Sequence, residues 1–304
     1  MPPIVHLVDQ HYHYLEPPAV RDTPAKLLFF EKNLLSMDSP SSTSGNVHQE
    51  PPATGLAGES PPFAPLEPTP ALLAELAEQS DRLETATPQE ILNWASERFA
   101  PYFSMATAFG PEGMTIIHML AEVAPQTPIF NLETGYQFPE TLELRDRVKT
   151  RYGIEVEFLH PELTVIEYEA LHGGPVYESN PQQCCSDRKL TQLKKAAGSL
   201  HAWASAIRRD QSPDRAKAPI VGWDKKFSLV KISPLANSTK QEIWKMITDH
   251  DIPYNALHDR GYPSVGCWPC TRAITLGEDE RAGRWSGTNK VECGLHSIDD
   301  EPHT

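Results

Sequence analysis

The sequence predicts an α/β fold with a doubly wound, mostly parallel sheet and an irregular C-terminal segment. Three observations carry this. Strand-like runs alternate with helix-like runs between about residues 87 and 250, and that rhythm calls for right-handed crossovers between parallel strands. Helix starts are marked by capping residues. The chain has 304 residues, 39% of them hydrophobic, enough for one sizeable domain plus extensions.

In chain order, Thr87, Pro88 and Glu90 supply an N-cap, a proline at the first helical position and a capping-box acid, so a helix is expected over 89–99. A strand follows over 104–109, a tight turn over 110–113 and an apolar helix over 114–123. A second strand (128–132), a second helix (139–152) and a third strand (154–159) continue the pattern. Further strands are expected over 201–207 and 227–232. The last helix, 238–250, has overlapping cap signals at Ser238 with Gln241 and at Thr239 with Glu242. From residue 251 on, Pro, Gly and charges dominate, as in an irregular segment laid over a core. The expected division is a Pro-rich extension (1–70), an α/β body (71–250) and a C-terminal segment (251–304).

The extension holds 13 of the 29 prolines and few large apolar groups after residue 38, so it is expected to be largely disordered. Within it, residues 26–35 suit a short helix. The pair His11 and His13 lacks further ligands to make a metal site. A net charge of −14 argues against nucleic acid or an anionic membrane as a partner. No apolar run approaches a bilayer span. The start, MPPIVHLVDQ, has no basic region followed by an apolar stretch. The expected compartment is the cytoplasm, and a homo-oligomer is compatible with the sequence.

Ligands of open α/β sheets bind outside the carboxyl ends of the strands. Three loops are expected there: one around Gly110 to Gly113, one around Glu133 to Gly135, and one beginning at Arg208 and Arg209. A glycine turn before a helix suits an anion, though most such turns are plain connections. Two guanidinium forks at a strand end suit phosphate or sulfate, with solvated surface arginines as the alternative.

The five cysteines read as four plus one. Cys267 and Cys270 form a C-x-x-C, a natural chelate. Cys184 and Cys185 are adjacent, and adjacent side chains diverge unless the backbone there is bent. Spacing alone leaves zinc and an iron–sulfur cluster both open. Cys293 stands apart among cationic neighbours, Lys290 and His296, which favour a nucleophilic thiolate, although a lone cysteine near a terminus is more often inert.

The motifs CCSDRK (184–189), GYPSVGCWPC (261–270), GEDERAGRW (277–285) and KVECGLH (290–296), with IRRDQS (207–212) and NLETGYQFPET (131–141), resemble the assimilatory adenylyl-sulfate reductase family over about residues 104–296. The resemblance implies an adenine nucleotide α-hydrolase-like fold and a [4Fe–4S] cluster on Cys184, Cys185, Cys267 and Cys270. It implies that Cys293 attacks the sulfur of adenosine 5′-phosphosulfate, displacing AMP, and that thioredoxin then releases sulfite, a step of sulfate assimilation and cysteine biosynthesis. It places Lys189, Arg281, Arg284 and His296 around the sulfuryl group. It assigns the nucleotide to Thr107, Phe109 and Gly110 and to Leu132, Glu133, Thr134 and Gly135, with Arg208 and Arg209 beside it. The segment 284–304 is expected to move so that Cys293 can meet both substrate and thioredoxin. The family's phosphate loop reads close to S-F-G-A-E-D; here Thr107 to Gly113 ends in glycine where the family has an acid.

Three rivals stand beside this reading. The first is reduction of the 3′-phosphorylated nucleotide, whose dedicated enzymes generally lack the two cysteine pairs. The second is an ATP pyrophosphatase, which needs an S-G-G-x-D-S-type loop absent from 107–113. The third is a non-catalytic, metal-stabilised binding module, against which the KVECGLH segment argues.

Overall fold

In the computed structural model, the described residues are 63–288 and 290. The expectations for His11, His13, the 26–35 helix, Cys293 and His296 lie outside them.

Helix α1, Pro70–Arg82, starts at Thr69, whose hydroxyl accepts the Leu72 amide at 3.2 Å. Helix α2, Pro88–Phe99, starts at Thr87 with the expected capping box to Glu90. Strand β1 (Phe103–Thr107), helix α3 (Pro111–Val123), strand β2 (Ile129–Leu132), helix α4 (Pro139–Tyr152) and strand β3 (Val156–Leu159) follow. Short helices α5 (Val165–His172), α6 (Val176–Ser179) and α7 (Pro181–Cys185) lead into a π-helical turn, Ser186–Leu190, and helix α8, Thr191–Ala197. Strands β4 (Ala202–Ala204), β5 (Val221–Asp224) and β6 (Leu229–Ile232) and helix α9 (Lys240–Asp249) complete the body. Of the two overlapping cap signals, Thr239 with Glu242 starts α9.

The sheet order is β3-β2-β1-β4-β6-β5. All neighbours are parallel except the edge pair β5 and β6. The chain builds outward from β1 through β2 to β3, then returns to the other side of β1 with β4. That reversal is a topological switch point, and it opens a crevice at the carboxyl ends of β1 and β4.

Side chains alternate between two apolar layers, as the period of a strand requires. Ile129, Ala202, Ala204, Val230 and Ile232 face a core built with α2, α3 and α9. Phe130, Leu132, Trp203 and Leu229 face a second core closed by Leu193 and Ala197 of α8. Helices on both faces make the doubly wound architecture that the alternating pattern implied.

Strand β1 ends two residues before its expected end. The Thr107 hydroxyl accepts the Phe109 amide at 3.0 Å, and Phe109 takes a left-handed φ of 55°. This turns the Phe109 ring into the core, where it is 1% exposed. Neither α1 nor β5 was expected; the two lie against each other, with the Val221 amide donating to Ser80 Oγ at 3.3 Å. No helix among the described residues is long and apolar enough to cross a membrane.

Candidate active site

A cavity of about 530 Å³ occupies the crevice at the switch point. Thr107 of β1, Leu132 of β2, and Ser205 and Ala206 after β4 form its floor, and Gly110 to Gly113 form one side. Lys189, Arg281 and Arg284 all reach this cavity, from two separate stretches of chain.

Behind it lies a smaller pocket lined by all four paired cysteines, Cys184, Cys185, Cys267 and Cys270. Their convergence depends on the backbone around residue 185. Helix α7 runs into the π-helical turn with helical dihedrals at Cys185 and Ser186, and the Thr191 amide reaches back five residues to the Ser186 carbonyl. An extra residue in the turn re-aims the side chains around it, which is the bend that an adjacent cysteine pair needs to serve one site. On the other side, the C-x-x-C closes as a 3-10 turn, with the Cys270 amide on the Cys267 carbonyl at 3.0 Å. Cys267 Sγ lies 3.2 Å from Thr134 Oγ1, and the Gln137–Cys267 bridge ties this turn to the loop after β2.

Burial pushes the Cys184 thiol up to about 12, and the neighbouring Cys267 and Cys270 add to the effect, while Arg188 and Lys189 oppose it. Cys270 is raised for the same reasons, burial first and then Cys267, against Lys189, Arg284 and Lys290. Crowded thiols ringed by cations suit a bound group that takes thiolates and leaves net negative charge. Among the described residues, no three His, Cys, Asp or Glu side chains gather as ligands of a single metal ion.

Four residues, Lys189, Cys267, Arg284 and Trp285, belong to the walls of both cavities. Arg284 is held by Ser264 Oγ at 3.2 Å and the Val265 carbonyl at 3.3 Å, and stacks 4.5 Å over the Trp285 ring. Arg281 approaches the same ring at 6.0 Å. Lys290, three positions before Cys293, donates to the Pro181 carbonyl at 3.2 Å and lies 5.3 Å from the Trp285 ring.

The remaining expected residues divide. Arg208 lines the larger cavity but is 5% exposed and ion-paired with Glu112 and, at 2.8 Å, with Asp210. Arg209 does not line it: its guanidinium pairs with Glu84 and Asn237, and its Nε donates to the Ala218 carbonyl at 2.8 Å. Arg208 is extended, and successive residues of an extended chain point to opposite sides. Phe109 is a core residue. Of the 132–135 loop only Leu132 lines the larger cavity. Glu133 accepts the Gly135 amide at 2.7 Å and braces its own loop, Thr134 serves the thiol pocket, and Gly135 adopts a φ of 79°.

Arg188 was missed as a brace. It is 3% exposed, donates to the Thr134 carbonyl at 2.5 Å and to the Leu163 carbonyl at 3.2 Å, and lies between the rings of Tyr136 and Tyr168. Its place in CCSDRK carries no signal separating a buried arginine from a solvated one.

The fold and this pair of joined cavities define a doubly wound protein of the adenine nucleotide α-hydrolase-like class. Residues 102–273 match the phosphoadenosine phosphosulfate reductase domain, and the chain belongs to that family. It is 41% identical over 227 residues to the adenosine 5′-phosphosulfate reductase of Salinibacter ruber, covering 74% of this chain and 90% of that protein. It is 42% identical over 217 residues to the phosphoadenosine 5′-phosphosulfate reductase of Gloeobacter violaceus, covering 70% and 90%. The crystal structure of phosphoadenylyl-sulfate reductase from Candida auris superposes with a TM-score of 0.61 at 25% identity, covering 69% of this chain and all of that one.

Proposed function

We propose that this oxidoreductase reduces adenosine 5′-phosphosulfate to sulfite and AMP in sulfate assimilation, in the cytoplasm. The observation that carries the reading is the shared wall: a nucleotide-sized cavity and a four-cysteine pocket meet at Lys189, Cys267, Arg284 and Trp285. Relatives named for this activity support it.

The residues present fit a [4Fe–4S] cluster, for which Cys184, Cys185, Cys267 and Cys270 are the ligands. When bound, the cluster adds structure and local charge beside the substrate, since thiols supply the electrons. In the larger cavity, Thr107, Gly110 and Leu132 hold the nucleotide. Lys189, Arg281 and Arg284 face the phosphosulfate, and a sulfuryl group with spread negative charge needs such cations before a thiolate can approach. Cys293 and His296 lie outside the described residues; Lys290, three positions before Cys293, contacts Pro181 and Trp285, which line the smaller pocket.

The Cys293 thiolate attacks the substrate sulfur. A sulfur–sulfur bond forms and the bond to the AMP oxygen breaks, leaving a thiosulfonate on the enzyme. One thiol of reduced thioredoxin attacks the Cys293 sulfur and sulfite departs. The second thioredoxin thiol reduces the mixed disulfide, so the dithiol provides both electrons. The body at 71–250 carries the nucleotide and the segment 251–304 carries the C-x-x-C and the nucleophile.

An anaerobic assay of sulfite release, with the 5′-phosphosulfate and its 3′-phosphorylated form in parallel and with or without thioredoxin, tests this. Turnover of the first, dependent on thioredoxin, is expected. Preference for the 3′-phosphorylated form would move the assignment to the activity named for the Gloeobacter relative.

A further inference from the structure

Helix α9 and the loop that carries Arg281 meet at the larger cavity. Lys240 and Trp244 of α9 line it, as do Glu280 and Arg281 of the loop. Lys240 and Trp244 stand four residues apart, on one face of the helix. Lys240 forms an ion pair with Glu280, and this pair ties the C-terminal segment to the α/β body.

Both ends of the tie are set by their own backbones. Lys240 is the first residue of α9. The Thr239 hydroxyl accepts the Glu242 amide at 3.2 Å, and the Glu242 carboxylate accepts the Thr239 amide at 2.7 Å. A cation at the start of a helix opposes its dipole, so the helix itself gives no reason for a lysine there. On the other side, the Ala282 amide donates to the Asp279 carbonyl at 2.9 Å, and the Arg281 amide donates to Asp279 Oδ1 at 2.8 Å. Glu280 and Arg281 are the two central residues of this tight turn, so whatever holds one orients the other. Arg272 closes the base of the loop, its amide on the Gly283 carbonyl at 3.0 Å and its guanidinium on the Glu278 carboxylate at 2.8 and 2.9 Å. Those bonds stay within the C-terminal segment, whereas the bond from Glu280 to Lys240 leaves it.

We propose that Lys240 is a positioning residue: through Glu280 it holds the turn from Asp279 to Ala282 so that Arg281 faces the phosphosulfate. The inference rests on the role given to Arg281 above. The Lys240 and Glu280 side chains are 43% and 54% exposed, and an exposed pair contributes little, so the effect is modest in size. Its sign is distinctive. If Lys240 met the substrate anion with its own charge, Glu280 would compete with that anion, and removing Glu280 would strengthen binding. If Lys240 acts through the turn, loss of either partner weakens the reaction alike. The loss then matters only while Arg281 is there to be positioned.

The test is sulfite release by the holoprotein and its Lys240→Met, Glu280→Gln and Lys240→Arg variants, each with and without Arg281→Ala. Lys240→Met and Glu280→Gln should each lower kcat/KM about threefold to fivefold. Lys240→Arg, which keeps the charge, should retain the wild-type value. In the Arg281→Ala background the first two should cost nothing further. Amide hydrogen exchange over residues 275–284 should quicken in those two variants by a similar factor. Wild-type kcat/KM in Lys240→Met, a gain in Glu280→Gln, unchanged exchange, or an undiminished loss on top of Arg281→Ala each overturn the proposal. A wild-type holoprotein that releases no sulfite from either nucleotide overturns the reading of the site, and this inference with it.

Discussion

A Cβ on Gly113 would lie 2.8 Å from Thr107 Oγ1, so the two residues divide a single space between them. The threonine cannot swing aside, because its hydroxyl holds the Phe109 amide at the turn into α3. The missing acid at the end of this loop is thereby explained: with Thr107 in this rotamer, no side chain fits at residue 113.

Gly113→Ala should destabilise the fold by about 1–3 kcal/mol through overpacking. Thr107→Ala alone should cost about 1 kcal/mol for the lost hydrogen bond. The double variant should cost less than the sum, with a coupling of about 1 kcal/mol. Chemical denaturation of the four proteins measures this, and strict additivity would contradict the shared-space account.

Gly266 performs a similar service for Arg284. A Cβ there would meet the guanidinium, with Nε at 3.0 Å and Cζ closer. The far end of a long side chain can yield, so Gly266→Ala should leave stability nearly unchanged and displace Arg284. Sulfite release should fall by roughly 10²–10³, as for loss of a transition-state cation. Adding Arg284→Ala should then cause little further loss. Full additivity of the two would mean that the glycine acts elsewhere.

Cys293→Ser should abolish sulfite release and keep the visible absorbance of the holoprotein near 400 nm. Cys267→Ser should diminish both. The pair of absorption spectra and the sulfite assay decide this, and loss of colour in Cys293→Ser would break the four-plus-one assignment.

Two histidines make stability pH-dependent. Burial holds His258 below the ordinary histidine value, as it does His118, where Glu122 partly opposes it. The unfolded chain therefore binds protons that the native state resists. Stability is full above about 6.5, the unfolded value, and is lost as pH falls below it towards the depressed native values. Calorimetric melting at pH 7.5 and 5.5 should show a drop that shrinks in His258→Gln. An equal drop in that variant would remove His258 from the explanation.

Local signals in the sequence carried far. Thr87 and Thr239 announce their helices because capping is settled within four residues. The four cysteines, read together from their spacing, line one pocket, and the backbone beside the adjacent pair makes a π-helical turn. What failed depended on contacts distant in sequence. Phe109 sits in a phosphate-loop motif, but its direction is set by the Thr107 hydroxyl and by the core waiting beneath it. Arg208 and Arg209 are indistinguishable as letters. Only the packing of Glu112 on one side and of Glu84 and Asn237 on the other shows which arginine reaches the cavity. Helix α1 carries a cap signal of its own, Thr69 before Pro70, at the end of the Pro-rich run; strand β5 is four residues long and lies against it. The sheet order follows from long-range pairing that no local run encodes.

Lys189, Cys267, Arg284 and Trp285 line the larger cavity and the four-cysteine pocket alike. Any ligand that shifts these residues in one changes the binding free energy in the other, and the factor is the same in both directions. A protein stripped of the group proposed for its cysteines should therefore bind nucleotide with an altered affinity. A protein saturated with nucleotide should hold that group with an affinity altered by the same factor. The two sites are joined as partners in an equilibrium, so damage to either will register at both.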